Sequence, residues 1–413
     1  MTTPPRLRAA AERNFGGLPR SFWILFAGMI ANRVGTMVVP FLVFFLGSRG
    51  ISTAQTGTIV VSLGLGGMFG PVLGGLLADR IGRRQAVLIG LVATPAGLGA
   101  LYAAPGAGTL AVAAALLGLM SSIYRPAASA LVGDVVDTEH RGKAFSLLHW
   151  GFNIGTAVAS AGAGYLAGRG FWLLFLLDGL TCLAYAVIVV RGIPKDLPRP
   201  AAPKDKGGAG YGVVLRDRLM LAHMGLSALG ITIYTMTEFA IPLAIRDDGL
   251  SPAVYGLVGV ANAVIVIACQ PLIYGRLARL PRIKVLALSW ALIGVGVATT
   301  GLAHRPWQYV LTVIVWSIGE VVNGVVAGAI VTDLAPEEAR GRYQGALAWV
   351  WQFARLVAPA SATALFSTVG PTALWSSCAV LGLFTAGATL SLAGPVARRV
   401  SASPVENKTL ETA

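Results

Sequence analysis

The sequence predicts an all-α membrane protein with twelve transmembrane helices in two halves of six, and three observations lead to this fold class. The chain has 413 residues, of which 55 % are hydrophobic and only 12 % are charged, too apolar for a soluble globular protein of this length. Apolar runs of about 20 residues, enough to cross about 30 Å of hydrocarbon, recur from end to end. Finally, two parts of the sequence repeat 199 residues apart.

The apolar runs define the predicted helices in order, and none resembles a cleavable signal peptide. The predicted spans are 21–47, 54–78, 85–104, 107–133, 142–167, 171–191, 218–246, 252–275, 283–303, 306–332, 343–368 and 371–395.

The distribution of basic residues predicts the orientation of these spans. Most of the 32 Lys and Arg fall on the face that carries the N-terminus and every second loop, and only Arg49, Arg169, Arg246 and Arg305 fall on the opposite face. Positive charge marks the cytoplasmic side, so both termini are predicted to be cytoplasmic. The net charge of +14 therefore reports topology, and we expect no nucleic-acid partner.

A polar stretch and an internal repeat divide the chain in two. The segment "DVVDTEHRG" (134–142) recurs as "DLAPEEARG" (333–341), which aligns Asp134 with Asp333. Residues 192–217 are rich in Pro, Gly and Lys and predict a flexible linker. The predicted organisation is a cytoplasmic segment 1–20, a six-helix bundle 21–191, the linker 192–217, a second bundle 218–395 and a cytoplasmic tail 396–413.

The loop after the second span carries a motif made of Gly75, Leu77, Ala78, Asp79, Arg80, Gly82, Arg83, Arg84 and Leu88. This motif resembles the loop signature of the major facilitator superfamily, a family of membrane transporters. The resemblance covers nearly the whole chain. It implies the two-bundle fold of that family, transport by alternating access, and function as a monomer in a bacterial-type cytoplasmic membrane.

The same resemblance implies that the motif is a conformational gate. Asp79 would face Arg83 and the N-terminal end of the eleventh span, near Gly341, and so close the cytoplasmic side. Gly75 and Gly82 would permit close approach of backbones. The second half carries Arg279 where the first has Asp79, so it lacks this gate. The alternative is that the charges only set topology.

A glycine stripe in the second span predicts close helix packing. Gly66, Gly70 and Gly74 are four residues apart and lie on one face. From the resemblance, we expect this face to meet the eleventh span.

Five ionisable residues lie deep in predicted spans, namely Arg33, Arg125, Glu238, Glu320 and Arg355. Unpaired, each would cost about 2.5–3.5 kcal/mol, so they pair or line water. In the family fold, four of them lie on the helices that line the central cavity. Polar or aromatic neighbours on the same helices complete the predicted substrate cavity: Asn32, Ser121, Tyr124, Tyr234, Trp316 and Asn323. The alternative is a set of structural ion pairs, and Asp178 in the sixth span is predicted to be structural.

Glu320 is the preferred proton-coupling residue, and Glu238 is the second. A buried carboxyl favours its protonated form and a carboxyl beside arginine its ionised form, so a conformational change can load and release a proton.

The sequence resembles proton-coupled exporters of drugs and other small molecules, notably in 32–45 and 124–136. It departs from the antiporter pattern in the fifth helix, where Thr156, Ala159 and Ser160 replace a proline and paired glycines. The predicted substrate is a small amphipathic organic molecule. Proton-coupled uptake, facilitated diffusion and a non-transporting receptor or scaffold remain alternatives. We expect no cofactor, no metal site and no enzymatic activity.

Overall fold

The fold is described from a computed structural model covering residues 17–194, 212–277, 279–336 and 339–401, apart from the side chains of residues 138, 142, 146, 149, 271, 274 and 275. The linker 192–217 and the terminal segments 1–20 and 396–413 predicted from the sequence therefore lie largely outside the described residues. Every regular element in the described part of the chain is helical, so the predicted all-α fold class is confirmed.

The described residues form two compact units, which we treat separately. The first comprises those within Met1–Phe45 and Thr58–Lys204, and the second comprises Leu46–Gly57 and those from Asp205 onward. In the first half of the sequence the helices are α1 (Arg20–Gly35), α2 (Leu42–Ser48), α3 (Thr53–Ile81), α4 (Arg83–Ala103), α5 (Ala107–Val135), α6 (Arg141–Ala167) and α7 (Trp172–Gly192).

The second half repeats this order. Its helices are α8 (Gly212–Arg216), α9 (Arg218–Met236), α10 (Ala240–Asp247), α11 (Pro252–Leu277), α12 (Arg282–Ala298), α13 (Pro306–Leu334), α14 (Arg340–Thr368), α15 (Pro371–Ser391) and α16 (Ala393–Ser401). In the first unit α1 packs on α6 and α7, and α4 packs on α5 and α7. In the second unit α9 packs on α14 and α15, and α12 packs on α13 and α15. The repeat seen in the sequence is therefore also a repeat of helix packing.

Nine helical stretches of the described chain are long and apolar enough to cross a membrane. The remaining three predicted spans are also helical but fall outside this group. The first is split into α1 and α2, and α6 and α14 are long helices that contain many small and polar residues. Hydropathy alone therefore fails to identify spans that contain many small and polar residues.

The first long helix of each half is interrupted. In the first half the helix stops at Gly35 and resumes at Leu42, and in the second half it stops at Met236 and resumes at Ala240. Glu238 lies inside the second interruption. Interrupted membrane helices leave backbone groups available and commonly line binding sites in transporters. The sequence-based spans 21–47 and 218–246 did not show these breaks.

The glycine stripe of α3 packs within the first unit. A Cβ at Gly66 or Gly74 would collide with backbone carbonyl groups of α5, and one at Gly70 would lie 2.5 Å from the Ser122 side chain. The stripe therefore holds α3 against α5, the fourth predicted span. The expected partner of this face was the eleventh span, but the glycines that lie against α5 leave no room for side chains there, so the stripe is used inside the first unit.

One ion pair is repeated in the two halves. Arg83 pairs with Asp134 in the first unit, and Arg282 pairs with Asp333 in the second. Both partners are shifted by 199 residues. The second half thus keeps this ion pair although its loop has no aspartate at the position of Asp79.

Asp217 anchors the start of α9 to two distant parts of the second unit. Its Oδ1 accepts hydrogen bonds from the backbone N–H groups of Leu219 and Met220, both at 3.1 Å, which caps the helix. Tyr343 donates to Oδ2 at 2.7 Å, and Arg399 donates to Oδ1 at 2.9 Å. Burial acts to raise the pKa of Asp217, but the hydrogen bonds from Arg399, Tyr343 and Met220 outweigh it and hold that pKa below its usual range.

Candidate functional site

The five ionisable residues of the predicted spans divide between the two units. Arg33 lies on α1 and Arg125 on α5, whereas Glu320 lies on α13, Arg355 on α14 and Glu238 between α9 and α10. Arg125, Glu238 and Arg355 are exposed, and the other two are partly buried. Charged groups at membrane depth rarely face lipid, so exposure at these positions is typical of a water-filled cavity.

Glu320 lies at the centre of a hydrogen-bonded cluster in the second unit. Its Oε1 accepts a hydrogen bond from the Tyr234 hydroxyl at 2.8 Å, and its Oε2 accepts one from the Asn262 amide at 2.7 Å. The same amide donates to the Ser317 hydroxyl at 2.9 Å. Both carboxylate oxygens are thus satisfied by neutral donors from two other helices, an arrangement suited to a carboxylate that can gain and lose a proton.

Aromatic rings enclose one side of this cluster. Tyr234 makes edge contacts with Trp316 and Trp351, with ring centroids 6.2 and 6.0 Å apart. Within the described structure, the indole Nε1 of Trp316 and the amide Nδ2 of Asn323 are buried and lack a hydrogen-bond partner. The structure therefore brings the predicted residues Tyr234, Trp316 and Glu320 together. The two unpaired donors lie on α13, the helix that carries Glu320.

Arg33 faces α6 in the first unit. Its Nε donates to the Thr156 hydroxyl at 2.8 Å, and its guanidinium lies 3.8 Å from the centroid of the Phe152 ring. A cavity of about 20 Å³, room for one water molecule, adjoins this contact. It is lined by Arg33, Thr36, Met37, Pro40, Phe41, Thr156, Ala159, Ser160 and Ala163. The three residues that depart from the antiporter pattern therefore line a small cavity beside the break in the first helix.

Two residues predicted to line the substrate cavity form a hydrogen-bonded chain inside the first bundle. Tyr124 donates from its hydroxyl to Asn32 Oδ1 at 2.7 Å, and Asn32 donates from Nδ2 to Cys182 Sγ at 3.1 Å. Asn32 is only 5 % exposed. These contacts join α1, α5 and α7 and give Asn32 a structural position. Ser121 donates to the Gly118 carbonyl of its own helix at 3.3 Å, and it is partly exposed.

Asp178 stabilises the interruption of the first helix. Its Oδ2 accepts hydrogen bonds from the backbone N–H groups of Met37 at 3.2 Å and Val38 at 3.3 Å. Asp178 is 5 % exposed. Its contacts agree with the predicted structural role, because the helix break leaves these N–H groups without helical partners.

The motif residues of the predicted gate occupy distinct positions at one end of the first unit. Asp79 and Arg80 are exposed, whereas Arg83 pairs with Asp134 rather than with Asp79. Buried Arg84 donates to the carbonyls of Val190 and Ile193, both at 3.0 Å, and so caps the C-terminus of α7.

The predicted role of the two motif glycines, close approach of backbones, is not what the described residues show. Gly82 has a φ of 97°, a conformation that favours glycine, at the turn between α3 and α4. No described atom lies within 4 Å of a Cβ placed at Gly75. The structure therefore gives Gly82 a role in the turn, and it shows no close approach at Gly75.

Sequence reasoning missed Asn262, Ser317 and the contact of Thr156 with Arg33. Asn262 is a strongly polar side chain in the middle of an apolar span, and this was the available signal. Ser317 lies one turn before Glu320 on the same helix face. The described residues contain no group of three or more His, Cys, Asp or Glu side chains arranged to hold a metal ion.

Comparison with known proteins shows similarity to transporters over most of the chain. The family model described as Major Facilitator Superfamily matches residues 24–244 and 224–412. The MFS-type transporter YqjV of Bacillus subtilis is 25 % identical over 79 % of this chain and 81 % of its own length. The multidrug resistance protein MdtH of Cronobacter sakazakii is 26 % identical over 78 % and 81 %. A Na(+), Li(+), K(+)/H(+) antiporter of Planococcus maritimus is 22 % identical over 79 % and 84 %.

Solved structures resemble this fold closely. The crystal structure of a peptide transporter POT in complex with sulfate has a TM-score of 0.75 and 20 % identity, with 96 % of this chain and 99 % of that chain covered. A POT family transporter in complex with a thioalcohol-conjugated peptide has a TM-score of 0.78 and 15 % identity, with 93 % and 98 % covered. At these identities the similarity shows the fold alone.

Proposed function

The chain belongs to the Major Facilitator Superfamily, and from this premise we propose that it exports small amphipathic organic molecules in exchange for protons that enter the cell. Membership makes it a multi-pass membrane transporter and not an enzyme. Its similarity to multidrug resistance proteins supports export, and its similarity to a cation/proton antiporter supports antiport.

The observation that carries the proposal is the hydrogen-bonded position of Glu320. A coupling carboxyl must be stable enough in both protonation states to alternate between them. Neutral donors from Tyr234 and Asn262 stabilise the ionised form without locking it into an ion pair. Glu320 remains partly exposed, so water can deliver and remove its proton. We assign Glu320 the proton-carrying role and exposed Glu238 a supporting role.

The proposed substrate chemistry follows from the charges and rings. In the second unit, exposed Arg355 offers positive charge at membrane depth, and the partly exposed rings of Tyr234 and Trp351 offer aromatic surface. An amphipathic molecule with an anionic group matches both features. Because proton-coupled uptake would use the same residues, only the direction of flux relative to the proton gradient separates export from uptake.

A second candidate function is exchange of a monovalent cation for protons. It is favoured by the name of the relative from Planococcus maritimus and by the hydroxyl oxygen atoms of Tyr234 and Ser317 beside a single carboxylate. Hard cations of this kind prefer oxygen ligands. This candidate predicts proton movement on addition of Na⁺, Li⁺ or K⁺ without any organic compound.

The test is flux in proteoliposomes that contain a pH-sensitive dye and face an imposed proton gradient. Wild type, Glu320→Gln and the control Glu139→Gln, a change at an exposed carboxyl outside the predicted spans, are compared with a panel of amphipathic compounds and with the three cations. Compound-dependent proton movement in wild type and the control, but not in Glu320→Gln, supports the proposal. Compound movement without protons in all three proteins favours facilitated diffusion. Absence of any flux contradicts transport of these substrates and favours a receptor.

A further inference from the structure

Asn262 makes a second contact in the Glu320 cluster, to Ser317, that the proposed function leaves unexplained. It lies on α11 and reaches α13 twice, through Ser317 Oγ at 2.9 Å and Glu320 Oε2 at 2.7 Å. A side-chain amide has two N–H donors on one side and one carbonyl acceptor on the other. Because Nδ2 serves both contacts, the orientation of this amide is fixed by the cluster and presents a donor to Glu320.

That orientation matches only one protonation state of Glu320. An ionised carboxylate accepts hydrogen bonds at both oxygens, and it receives one from Tyr234 and one from Asn262. Once Oε2 carries a proton, it becomes a donor and would face the N–H group of Asn262. Rotation of the amide by half a turn replaces that N–H with Oδ1, an acceptor. Ser317 can follow this rotation, because a hydroxyl donates as readily as it accepts.

We propose that Asn262, oriented by Ser317, is the positioning residue of the proton site, and that its amide turns from donor to acceptor as Glu320 takes up a proton. This inference rests on the proton-carrying role proposed for Glu320. The O–H bond of Glu320 is the single covalent bond made and broken, and its proton comes from water and returns to water. Asn262 itself stays neutral throughout.

The charged groups that face the cluster come from two other elements. Glu238, between α9 and α10, interacts electrostatically with Glu320. Arg355 of α14 interacts electrostatically with the Tyr234 hydroxyl. Tyr255 of α11 is the titratable group near Glu238. The neighbouring helix α12 contributes the neutral Ser289, which donates to the Gly319 carbonyl at 2.9 Å. The hydrogen bonds that the structure shows to the Glu320 carboxylate come from neutral groups, so removing one of these donors weakens the stabilisation of its ionised form.

The principal variant is Asn262→Leu, which removes the amide at nearly constant size. Ser317→Ala is a milder change that leaves Asn262 present but poorly oriented. The control is Gln270→Leu, which removes an amide from the same helix two turns away. Asn262 bonds both forms of Glu320, but its hydrogen bond to the ionised carboxylate is charge-assisted and roughly twice as strong as a neutral one. Its loss therefore disfavours ionisation, and the pH midpoint of proton release should rise. We expect a rise of about one pH unit for Asn262→Leu and a smaller rise for Ser317→Ala. The control should match wild type.

Two measurements on the full-length purified protein separate this inference from the proposed function. The first is an infrared titration of the protonated-carboxyl band that disappears in Glu320→Gln, and the second is the pH profile of coupled transport. Raised midpoints for both variants support the role of Asn262. A wild-type infrared midpoint in folded Asn262→Leu or Ser317→Ala would overturn it. If the infrared midpoints shift but wild type shows no proton-coupled flux, Asn262 keeps its role and the proposed function fails.

Discussion

The contacts of Asp217 allow the stability of the second unit to be worked out residue by residue. Asp217→Ala removes a helix cap, which costs about 1 kcal/mol. It also removes the charge-assisted hydrogen bonds to Tyr343 and Arg399, each worth about 1.5–3 kcal/mol before solvent screening. Arg399 is one-third exposed, so its ion pair adds no more than about 1 kcal/mol. We expect a total loss of about 2.5–5 kcal/mol.

Asp217→Asn separates the charge from the geometry. The asparagine can still cap α9 and accept from Tyr343, so the expected cost is only about 1 kcal/mol. Because the folded-state pKa of Asp217 is lowered, its charge stabilises the protein above the unfolded-state value of about 3.9 and this contribution disappears as pH falls through the folded-state pKa. The difference between wild type and Asp217→Asn should therefore persist at pH 5 and vanish only in stronger acid.

Thermal unfolding in detergent, followed with a thiol-reactive dye, measures these differences because Cys182 and Cys378 are 2 % and 1 % exposed in the folded protein. The exposed Asp247→Asn, at the end of α10, is the control and should lie within about 0.5 kcal/mol of wild type. The reasoning would be refuted if wild type and Asp217→Ala were equally stable. It would also be refuted if wild type and Asp217→Asn had the same stability at pH 5.

Three further predictions use the same unfolding assay. Asp178→Leu should destabilise by about 1–3 kcal/mol because two buried backbone N–H groups lose their acceptor, and Asp178→Asn should cost less; equal costs would contradict this. Gly74→Ala should cost about 1–3 kcal/mol because its Cβ would meet the backbone of α5, whereas Gly75→Ala should be tolerated. Arg83→Gln and Asp134→Asn should be non-additive in a double-mutant cycle, and simple additivity would show that their ion pair contributes nothing.

The sequence was sufficient to predict the helical membrane fold and its duplication. Long apolar runs and the repeat at 199 residues depend on local composition and spacing, which a sequence displays directly. The pairing of Asp134 and Asp333 with arginines follows the same repeat. Glu320 could be singled out because an ionisable residue in an apolar helix is unusual.

The partners of these residues could not be predicted, because they depend on how helices rotate against each other. Asn32 was expected to line the cavity, but the rotation of α1 turns it towards Tyr124 and Cys182. Asn262 reaches Glu320 from a helix 58 residues away in sequence. The helix break before Leu42 was also hidden, because an apolar run looks the same whether or not its helix is interrupted.

The most direct test of the central claim compares driven transport with exchange for one substrate found in the flux assay. Wild type and Glu320→Gln are reconstituted in parallel, and substrate movement is measured under a proton gradient and, separately, between equal substrate pools without a gradient. We predict that Glu320→Gln retains exchange but loses gradient-driven movement, since it can bind substrate but cannot release a proton. Gradient-driven movement at the wild-type rate in Glu320→Gln would contradict the account and leave Glu320 without a coupling role.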